Sequence, residues 1–467
     1  MIKLIVASRK ITAYRFGKSS VYIDPGIWVA SLGSPFQLNV GRASYTKPIT
    51  VTQVIKTGHG AVRRPLPSWV LAGWNGLRRF VRIVVRNSKG RIVARRNLTF
   101  CPDGYELSKA TTSSAETSHY PQQCQAFDPF SLGEVWGIPR GWAVDPANFA
   151  GFRLSTGRYR LTMEITRRYG RLFHVTNPDR IASVQVRVEK EPRVLPPSPS
   201  VAPVPSGFVR VESQRPAGRT LPSFPAARTL SHPPASAEPD LVPLPSWGIS
   251  VSHEKKGDDD YLNFAATVWV GGHGPLDVEG FRSNGSGTMK AYQYFYLDGK
   301  LIGKARAGTM GFANYNAWHF KQFAEYRLLN AHKKIVVRSR KISFCIAPTD
   351  SVDMLLRHAV WQPTYTGISG NCGNPAALWV TETLPLGWGD TYVQTVPYQN
   401  FEITDLPNGT YYIEIIANPE HLLYETNRNN DVSLRKIILG GTPGHRTVRV
   451  PAWHGIDPEN GHGGPFF

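Results

Sequence analysis

The chain has 467 residues, 43 of them glycine and 37 proline, and a formal net charge of +20 at pH 7. This length exceeds what one compact core normally fills and predicts two domains with connecting sequence. No apolar run approaches the roughly eighteen residues of a membrane-spanning helix, and LIVA at residues 4–7 is too short for the apolar region of a signal peptide. We therefore expect a soluble chain whose export signal has been removed or lies upstream of Met1.

The basic residues are concentrated at the start of the chain. Residues 1–190 contain 29 Lys and Arg against 10 Asp and Glu, a balance of +19, whereas residues 241–467 contain 20 of each. Repeated RR and RxxR groups favour binding to a phosphate-rich polymer, a nucleic acid or an acidic protein. No specific nucleic-acid module is recognisable, and a set of solvated charged faces is the alternative interpretation.

Strands are predicted in both halves of the chain. Residues 81–100 and 289–308 alternate around a turn that contains KG or DG, which predicts two β-hairpins. TYYIEIIANP at 410–419 alternates again before its proline, and no helix longer than a few turns is indicated. The expected fold class is therefore mainly β.

A proline-rich stretch divides the chain. Fourteen prolines lie between Pro192 and Pro245 without sustained periodicity, which predicts a semi-extended, polyproline-like linker. We expect a basic domain at 1–190, the linker at 191–240, a second domain at 241–455 and a flexible tail at 456–467. The tail is expected to be flexible because its residues offer nothing to bury.

The four cysteines fall two to each domain. Cys101 and Cys124 are 23 residues apart, and Cys345 and Cys372 are 27 apart. Neither pair has the CxxC spacing of zinc or thioredoxin chemistry, so the spacing favours two structural disulfides and an oxidising, extracytoplasmic compartment. Four buried free thiols in a cytosolic protein are the alternative. The first interpretation predicts two disulfide-pinned, β-sandwich-like domains.

The two domains share landmarks in the same order. The first contains WNGLRRF at 74–80, FC at 100–101, WGI at 136–138 and LSTGRYRL at 154–161. The second contains WHFKQF at 318–323, FC at 344–345, WGD at 388–390 and LPNGTYYI at 406–413. The tryptophan of WGI or WGD precedes the glycine of the last motif by 21 residues in both. An internal duplication is therefore expected.

The second domain resembles the lysyl oxidase family in its bacterial form. The resemblance covers residues 245–445 approximately and consists of WHFKQFAEYRLL, RKISFC, GWGDTY and FEITDLPNGTYYIEIIANPEHLLYETNRNN, in the family's order. The two-domain layout with its proline linker also resembles secreted actinobacterial members. The resemblance implies oxidative deamination of peptidyl lysine or primary amines to aldehydes. It also implies two cofactors, copper and a lysine tyrosylquinone, which forms when a lysine is joined to a tyrosine.

The resemblance places Lys341 of RKISFC and Tyr392 of GDTY at the quinone-forming positions. Asp390, two residues before that tyrosine, is expected to act as a carboxylate base or to orient the quinone. Without the resemblance, Lys341 would be interpreted as a solvated strand lysine and Tyr392 as a core or rim tyrosine.

The copper ligands of the family are three histidines in an HxHxH pattern, whose period of two places all three imidazoles on one face of a strand. His319 matches the last of the three, but Ala317 and Tyr315 occupy the other two positions. A phenol binds metal poorly at neutral pH because its ordinary pKa is near 10. His319 is thus the predicted metal ligand, and both copper binding and quinone formation are expected to be impaired. No spacing favours completion of the site by a distant histidine, namely His332, His358 or His421.

The first domain lacks these residues altogether. At the positions that correspond to the histidine, the lysine and the tyrosine it has Asn75, Asn97 and Arg140. One copy of the fold therefore persists in this chain without the chemistry.

Two functions are consistent with this sequence. The first is a copper- and quinone-dependent amine oxidase with a basic anchoring domain, which retention of Lys341, Tyr392 and His319 favours. The second is a non-catalytic extracellular or cell-envelope protein, in which the basic domain docks on an anionic envelope polymer or an acidic protein. Ala317 and Tyr315 favour the second. An immunoglobulin-like adhesin with a similar NPEHLLYETNRNN loop is a third interpretation.

Overall fold

A computed structural model describes residues 2–16, 20–104, 107–121, 124, 127–147, 150–191, 227–254, 259–282, 286–313, 317–362 and 372–460. The chain divides into two compact units. Unit 1 comprises Met1–Leu38, Val51–Gln125 and Trp136–Ala226, and unit 2 comprises Asn39–Thr50, Ala126–Val135 and Ala227–Phe467. Two short segments of the first half therefore belong to unit 2, a feature that the linear domain prediction did not contain.

The described residues are mainly in strands, which confirms the predicted fold class. The first fifteen strands are β1 (Ile2–Val6), β2 (Lys10–Phe16), β3 (Ser20–Ile23), β4 (Ile27–Ser31), β5 (Phe36–Gly41), β6 (Thr50–Thr57), β7 (Gly60–Pro65), β8 (Leu77–Asn87), β9 (Ile92–Phe100), β10 (Leu107–Lys109), β11 (Gly133–Ile138), β12 (Trp142–Val144), β13 (Ala150–Phe152), β14 (Gly157–Ile165) and β15 (Ile181–Lys190). The later strands are β16 (Pro239–Pro243), β17 (Trp247–Glu254), β18 (Asp259–Gly272), β19 (Leu276–Phe281), β20 (Thr288–Leu297), β21 (Lys300–Ala313), β22 (Ala317–Lys321), β23 (Ala324–Asn330), β24 (Ile335–Arg338), β25 (Ser343–Phe344), β26 (Asp350–Ser351), β27 (Trp379–Leu384), β28 (Trp388–Tyr392), β29 (Asn400–Glu402), β30 (Gly409–Ala417), β31 (Val432–Thr442) and β32 (His445–Arg449).

Helices are few and short in the described ranges. They are α1 (Arg167–Leu172), α2 (Asn177–Arg180) and two 3-10 turns at Ser68–Val70 and Ala235–Ala237. Among the residues that can be placed, no helix has both the length and the apolar character needed to cross a bilayer.

Unit 1 contains a seven-stranded sheet in the order β13–β3–β2–β15–β14–β8–β9. Its β8 and β9 form the first predicted hairpin. Strand β15 alternates strictly, with valines at 184, 186 and 188 buried and Ser183, Gln185 and Arg187 exposed. Since side chains alternate across a sheet, one face of this strand supports the core and the other faces solvent. A four-stranded sheet of unit 1 has the order β1–β4–β12–β10.

The described strands of unit 2 from β16 onward form three sheets. The first has the order β16–β18–β28–β26, with β17 and β29 also paired to β18; the second is β25–β22–β21–β20–β19–β27; the third is β24–β23–β30–β31–β32. Strands β20 and β21 form the second predicted hairpin. Side chains from all three sheets meet in one buried cluster, which includes Phe264, Trp318, Phe320, Phe344 and Ile413. Burial of these side chains is the main favourable contribution to the stability of unit 2.

Both predicted disulfides are present. Cys101 is bonded to Cys124 and Cys345 to Cys372, with Cα–Cα distances of 5.6 and 5.7 Å. These distances lie within the ordinary range for a disulfide. The spacing argument therefore identified the correct pairs.

The boundaries of the linker and the tail can be followed in part. Residues 192–226, most of the predicted linker, lie outside the described residues, but the following segment is part of unit 2, where Leu230 N–H donates to the Lys304 carbonyl at 2.8 Å.

The start of the predicted tail is also packed, because Glu459 pairs at 3.0 Å with Arg435, whose side chain is 1% exposed. A buried guanidinium requires a carboxylate partner, and this requirement holds the segment in place. Residues 461–467 lie outside the described ranges.

The two units share local details at matching motifs. Arg79 and Gln322, each directly before a buried phenylalanine, have left-handed φ angles of 50° and 65°. Tyr159 and Tyr411 each donate a hydroxyl hydrogen bond to the carbonyl four residues earlier, at 2.8 and 2.6 Å. The internal duplication itself stays a prediction.

Candidate functional site

The structure brings the four predicted site residues of unit 2 into one cluster. His319 lies on β22, Lys341 lies in the turn that leads into β25, and β22 and β25 are hydrogen-bonded neighbours. Asp390 and Tyr392 lie two residues apart on β28, so their side chains leave the strand on the same side. The charge of Lys341 acts on both His319 and Asp390, and that of Asp390 acts on Tyr392.

The amine of Lys341 lies against an aromatic pair. Its Nζ is 4.0 Å from the centre of the Tyr392 ring and 4.9 Å from the centre of the Phe344 ring. These two rings pack edge to face with centres 5.2 Å apart. Lys341 is 7% exposed, so the interpretation as a solvated strand lysine does not describe its position. A cation over an aromatic face is attracted by about 0.5–2 kcal/mol, depending on solvation.

The hydroxyl of Tyr392 is fixed to the disulfide cysteine Cys345. It accepts a hydrogen bond from the Cys345 N–H at 2.8 Å and donates one to the Cys345 carbonyl at 3.0 Å. Burial raises the pKa of Tyr392 well above its ordinary value, and the negative charges of Asp390 and Glu382 raise it further. The ring therefore carries a neutral phenol at physiological pH.

Burial is the largest cause of the pKa shifts of Lys341 and Asp390. It lowers the pKa of Lys341 to about 8, while the charge of Asp390 opposes this shift. It raises the pKa of Asp390 well above the ordinary range, with further elevation from Asp350 and opposition from Lys341. Burial thus disfavours the charged form of both groups, while the attraction between Lys341 and Asp390 partly opposes it.

His319 is 6% exposed, and its Nδ1 lies 3.0 Å from the Ala317 carbonyl. In the tautomer that donates this hydrogen bond, the proton is on Nδ1. Burial lowers the pKa of His319, which favours the neutral ring. Metal-binding histidines are commonly oriented by a hydrogen bond of this kind, although buried structural histidines use it as well.

Residues 311–446 match the family model described as lysyl oxidase. This region belongs to the lysyl oxidase family. Lysyl oxidase homolog 2 of Gallus gallus is 29% identical over 110 residues, which are 24% of this chain and 12% of that protein. A solved tetra-tandem repeat from the extending region of a large adhesion protein aligns over 93% of this chain and 99% of its own, with 7% identity and a TM-score of 0.12. That likeness supports no conclusion about fold.

The described side chains of the lysyl oxidase domain do not fit a copper ion. Ala317, two residues before His319 on the same strand, presents a methyl group, which has no lone pair to donate. Tyr315 lies outside the described residues. Within the part of the chain that the structure describes, no group of three or more His, Cys, Asp or Glu side chains is arranged to hold a metal. Copper is normally held by several imidazole or other nitrogen ligands, and one histidine does not supply them.

The distant histidines do not compensate within the lysyl oxidase domain. His332, His358 and His421 are each exposed, whereas His319 is buried. The two residues at the predicted quinone-forming positions, in contrast, lie side by side, with the Lys341 Nζ 4.0 Å from the centre of the Tyr392 ring. The predicted copper site therefore lacks ligands among the described residues, whereas the two residues at the predicted quinone-forming positions are both present and in contact.

Sequence reasoning missed a second carboxylate beside the tyrosine. Glu382 on β27 is fully buried, and its Oε2 accepts a hydrogen bond from the Ile346 N–H at 3.0 Å. Burial raises its pKa well above the ordinary value, and its charge acts on Tyr392. A single acid in the strand WVTETL was the available signal, since a buried acid in an apolar strand is uncommon.

The positions of unit 1 that match His319, Lys341 and Tyr392 in the motif alignment differ from them in burial and in residue type. Asn75, Asn97 and Arg140 are all exposed. No buried amine or imidazole occupies these three positions, which agrees with the absence of the family's site residues from the first domain's sequence.

Proposed function

We propose that this chain is a non-catalytic member of the lysyl oxidase family that acts outside the cytosol as a binding or structural protein. The observation that carries the proposal is Ala317, a side chain without a donor atom at a position where the family has a copper ligand. Loss of one outer partner of a metal ligand commonly lowers metal affinity 10- to 100-fold, so loss of ligands themselves has a larger effect. The family forms its quinone with copper, and Lys341 and Tyr392 accordingly remain two separate side chains.

On this proposal, the pair has a structural role. Lys341 fills the space over the aromatic rings, and Tyr392 bonds the backbone of Cys345, next to a disulfide. The two disulfides support an oxidising compartment, because such bonds are rare in the cytosol. The excess of basic residues before residue 190 supports an anionic envelope polymer or an acidic protein as partner.

One observation favours the family's activity as a second candidate. The Lys341 Nζ lies 4.0 Å from the centre of the Tyr392 ring, so the two precursors are already in contact. In the active family, copper and the quinone supply the oxidation of peptidyl lysine or primary amines to aldehydes. Asp390 is then the group placed to take or return a proton beside Tyr392, because the two side chains leave β28 on the same side and burial raises the pKa of Asp390 above that of an exposed acid.

The test restores the missing ligands. The chain and its Tyr315→His/Ala317→His variant are loaded with copper under air, and copper content, quinone staining and the mass of disulfide-reduced protein are measured. We expect the unaltered chain to bind copper at least ~10-fold more weakly than the double variant and to keep an unmodified mass. The double variant is expected to bind copper and to show a peptide that links residues 341 and 392.

Two further outcomes complete this test. The triple variant with Lys341→Arg should bind copper without the cross-link, which shows that metal uptake and cross-linking are separate events. Near-stoichiometric copper together with a cross-linked peptide in the unaltered chain would overturn the proposal in favour of the enzyme.

A further inference from the structure

Like charges face one another on the outer face of the unit 1 sheet. Arg160 of β14 lies directly opposite Arg86 of β8, and Arg158 lies directly opposite Arg187 of β15. All four side chains are exposed. Directly opposed residues of an antiparallel pair point to the same side with Cβ atoms about 5 Å apart, and like charges at this distance destabilise the sheet.

The repulsion is only partly offset within the chain. Lys10 of β2 pairs with Gln185, which places a fifth cation on the same row of side chains. Glu189 pairs with Arg187 at 2.7 Å. In the described parts of unit 1, no other ion pair includes any of the five cations. We call the set of Lys10, Arg86, Arg158, Arg160 and Arg187 the cationic face.

The cationic face is concave. It surrounds an open depression of about 800 Å³, whose lining also includes the polar residues Thr12, Asn87, Ser88 and Gln185 and the apolar residues Ile11 and Val186. Adjacent strands are about 4.8 Å apart, and alternate residues of one strand are about 7 Å apart. The cations therefore form a grid of roughly 5 by 7 Å, which suits a chain molecule with a negative group on every short repeat.

We propose that the cationic face binds an extended phosphodiester polymer that lacks bases, of the poly(glycerol phosphate) type. This inference rests on the binding role proposed above and names its ligand and its site. Four of the five cations are arginines, whose planar guanidinium groups match phosphate oxygens in pairs.

The lining of the depression argues against two other polyanions. Single-stranded nucleic acid is held by aromatic side chains on which bases stack. Among the described residues that line the depression, one is aromatic, Tyr159, and its hydroxyl donates a hydrogen bond to the Ser155 carbonyl at 2.8 Å. An acidic protein would need a pocket for aromatic or apolar anchors. Most residues that line the depression are charged or polar, and the apolar Val186 is 1% exposed, so the depression does not provide such a pocket.

The experiment measures binding of the full chain to fluorescent poly(glycerol phosphate) of defined length by anisotropy, over a series of NaCl concentrations. The test variant is Arg158→Gln/Arg160→Gln. The matched control is Arg63→Gln/Arg171→Gln, which removes the same charge from exposed positions of unit 1 outside the depression. Circular dichroism and thermal melts at low salt verify folding, and the test variant is expected to melt no lower than the unaltered chain because it relieves repulsion.

We expect the test variant to bind at least 10-fold more weakly and the control to change less than about threefold. The slope of log K against log[NaCl] should become shallower by about 1.4 in the test variant, because each of the two missing arginines would have neutralised one phosphate and each neutralised phosphate adds about 0.7 to the slope. Equal weakening in both variants, or none in the test variant, would overturn the assignment of the cationic face while leaving a binding role intact.

Competitors identify the ligand class. Tighter binding of oligo(dT) or of poly-glutamate than of poly(glycerol phosphate) would overturn the phosphodiester assignment. Failure of the unaltered chain to bind any of the three polymers would overturn the binding role itself. The copper and cross-link measurements above are independent of all these outcomes, so the two proposals can fail separately.

Discussion

Replacement of Tyr392 by phenylalanine tests whether this residue is structural or a cofactor precursor. The substitution keeps the ring, and with it the packing against Phe344 and the Lys341 amine. It removes the hydroxyl that bonds both the N–H and the carbonyl of Cys345. The change therefore isolates two hydrogen bonds.

The loss of stability depends on the two backbone groups of Cys345 that no longer have the Tyr392 hydroxyl as a hydrogen-bond partner. The Cys345 N–H is in a half-buried residue and loses its bonding partner, and an unsatisfied buried group costs about 1–3 kcal/mol. The carbonyl retains a second lone pair and contributes less. We expect Tyr392→Phe to lower the free energy of unfolding of unit 2 by about 1–3 kcal/mol, which corresponds to roughly a 5- to 150-fold loss of protection for the Cys345 amide.

Hydrogen exchange read by mass spectrometry on the peptide that contains Cys345 measures this loss locally, and urea unfolding measures it globally. Tyr398→Phe is the control, because Tyr398 is 50% exposed and its change should stay within about 0.5 kcal/mol. If the two variants have equal stabilities and equal exchange rates, the hydroxyl has no structural role and the argument for a structural pair fails.

Three further predictions concern stability. Burial raises the pKa of Asp277 to about 8, and because the folded state then binds more protons than the unfolded state between about pH 4 and 8, the free energy of unfolding falls as pH rises through this window. Asp277→Asn should make this decline shallower by the contribution of one carboxyl group, while other buried acids such as Glu382 and Asp390 keep the remainder. Urea unfolding at a series of pH values that shows equal slopes for both proteins would contradict the assignment. The free energy of unfolding of the Cys345→Ala/Cys372→Ala variant should be about 3.5 kcal/mol lower, because the unfolded chain is no longer constrained by a bond between residues 27 positions apart. Denaturant unfolding measures this loss, and an equal loss in reduced wild-type protein would support the explanation. Glu459→Ala leaves Arg435 buried without its carboxylate and should cost about 3–5 kcal/mol, whereas Asn460→Ala, at an exposed site, should change stability little; similar melting curves for both would show that the C-terminal segment is not structural.

The sequence was sufficient where the decisive signal is local. Alternation around KG and DG turns predicted both hairpins, because strand periodicity and turn chemistry act within about twenty residues. Cysteine spacing predicted both disulfides, since each pair lies within one region of the chain. The order of motifs identified the lysyl oxidase region, and its four predicted site residues do cluster.

Tertiary structure was needed wherever a residue's partner is distant. The assignment of Asn39–Thr50 and Ala126–Val135 to unit 2 follows from packing that no local pattern encodes. One example is Asp128, which accepts hydrogen bonds from the side chains of Trp247 and Thr267 at 3.0 and 2.6 Å.

Four residues of the candidate site were predicted from the sequence, but Glu382 and the pKa shifts of the site were not. That Ala317 lacks a donor atom is a property of the residue type. That Lys341, Asp390 and Glu382 have shifted pKa values is a property of their surroundings, because desolvation depends on every segment that covers a group. The local sequence pattern thus determines which side chains lie on each face of a strand. The cost of ionising a group, in contrast, depends on which other strands bury it in the folded protein.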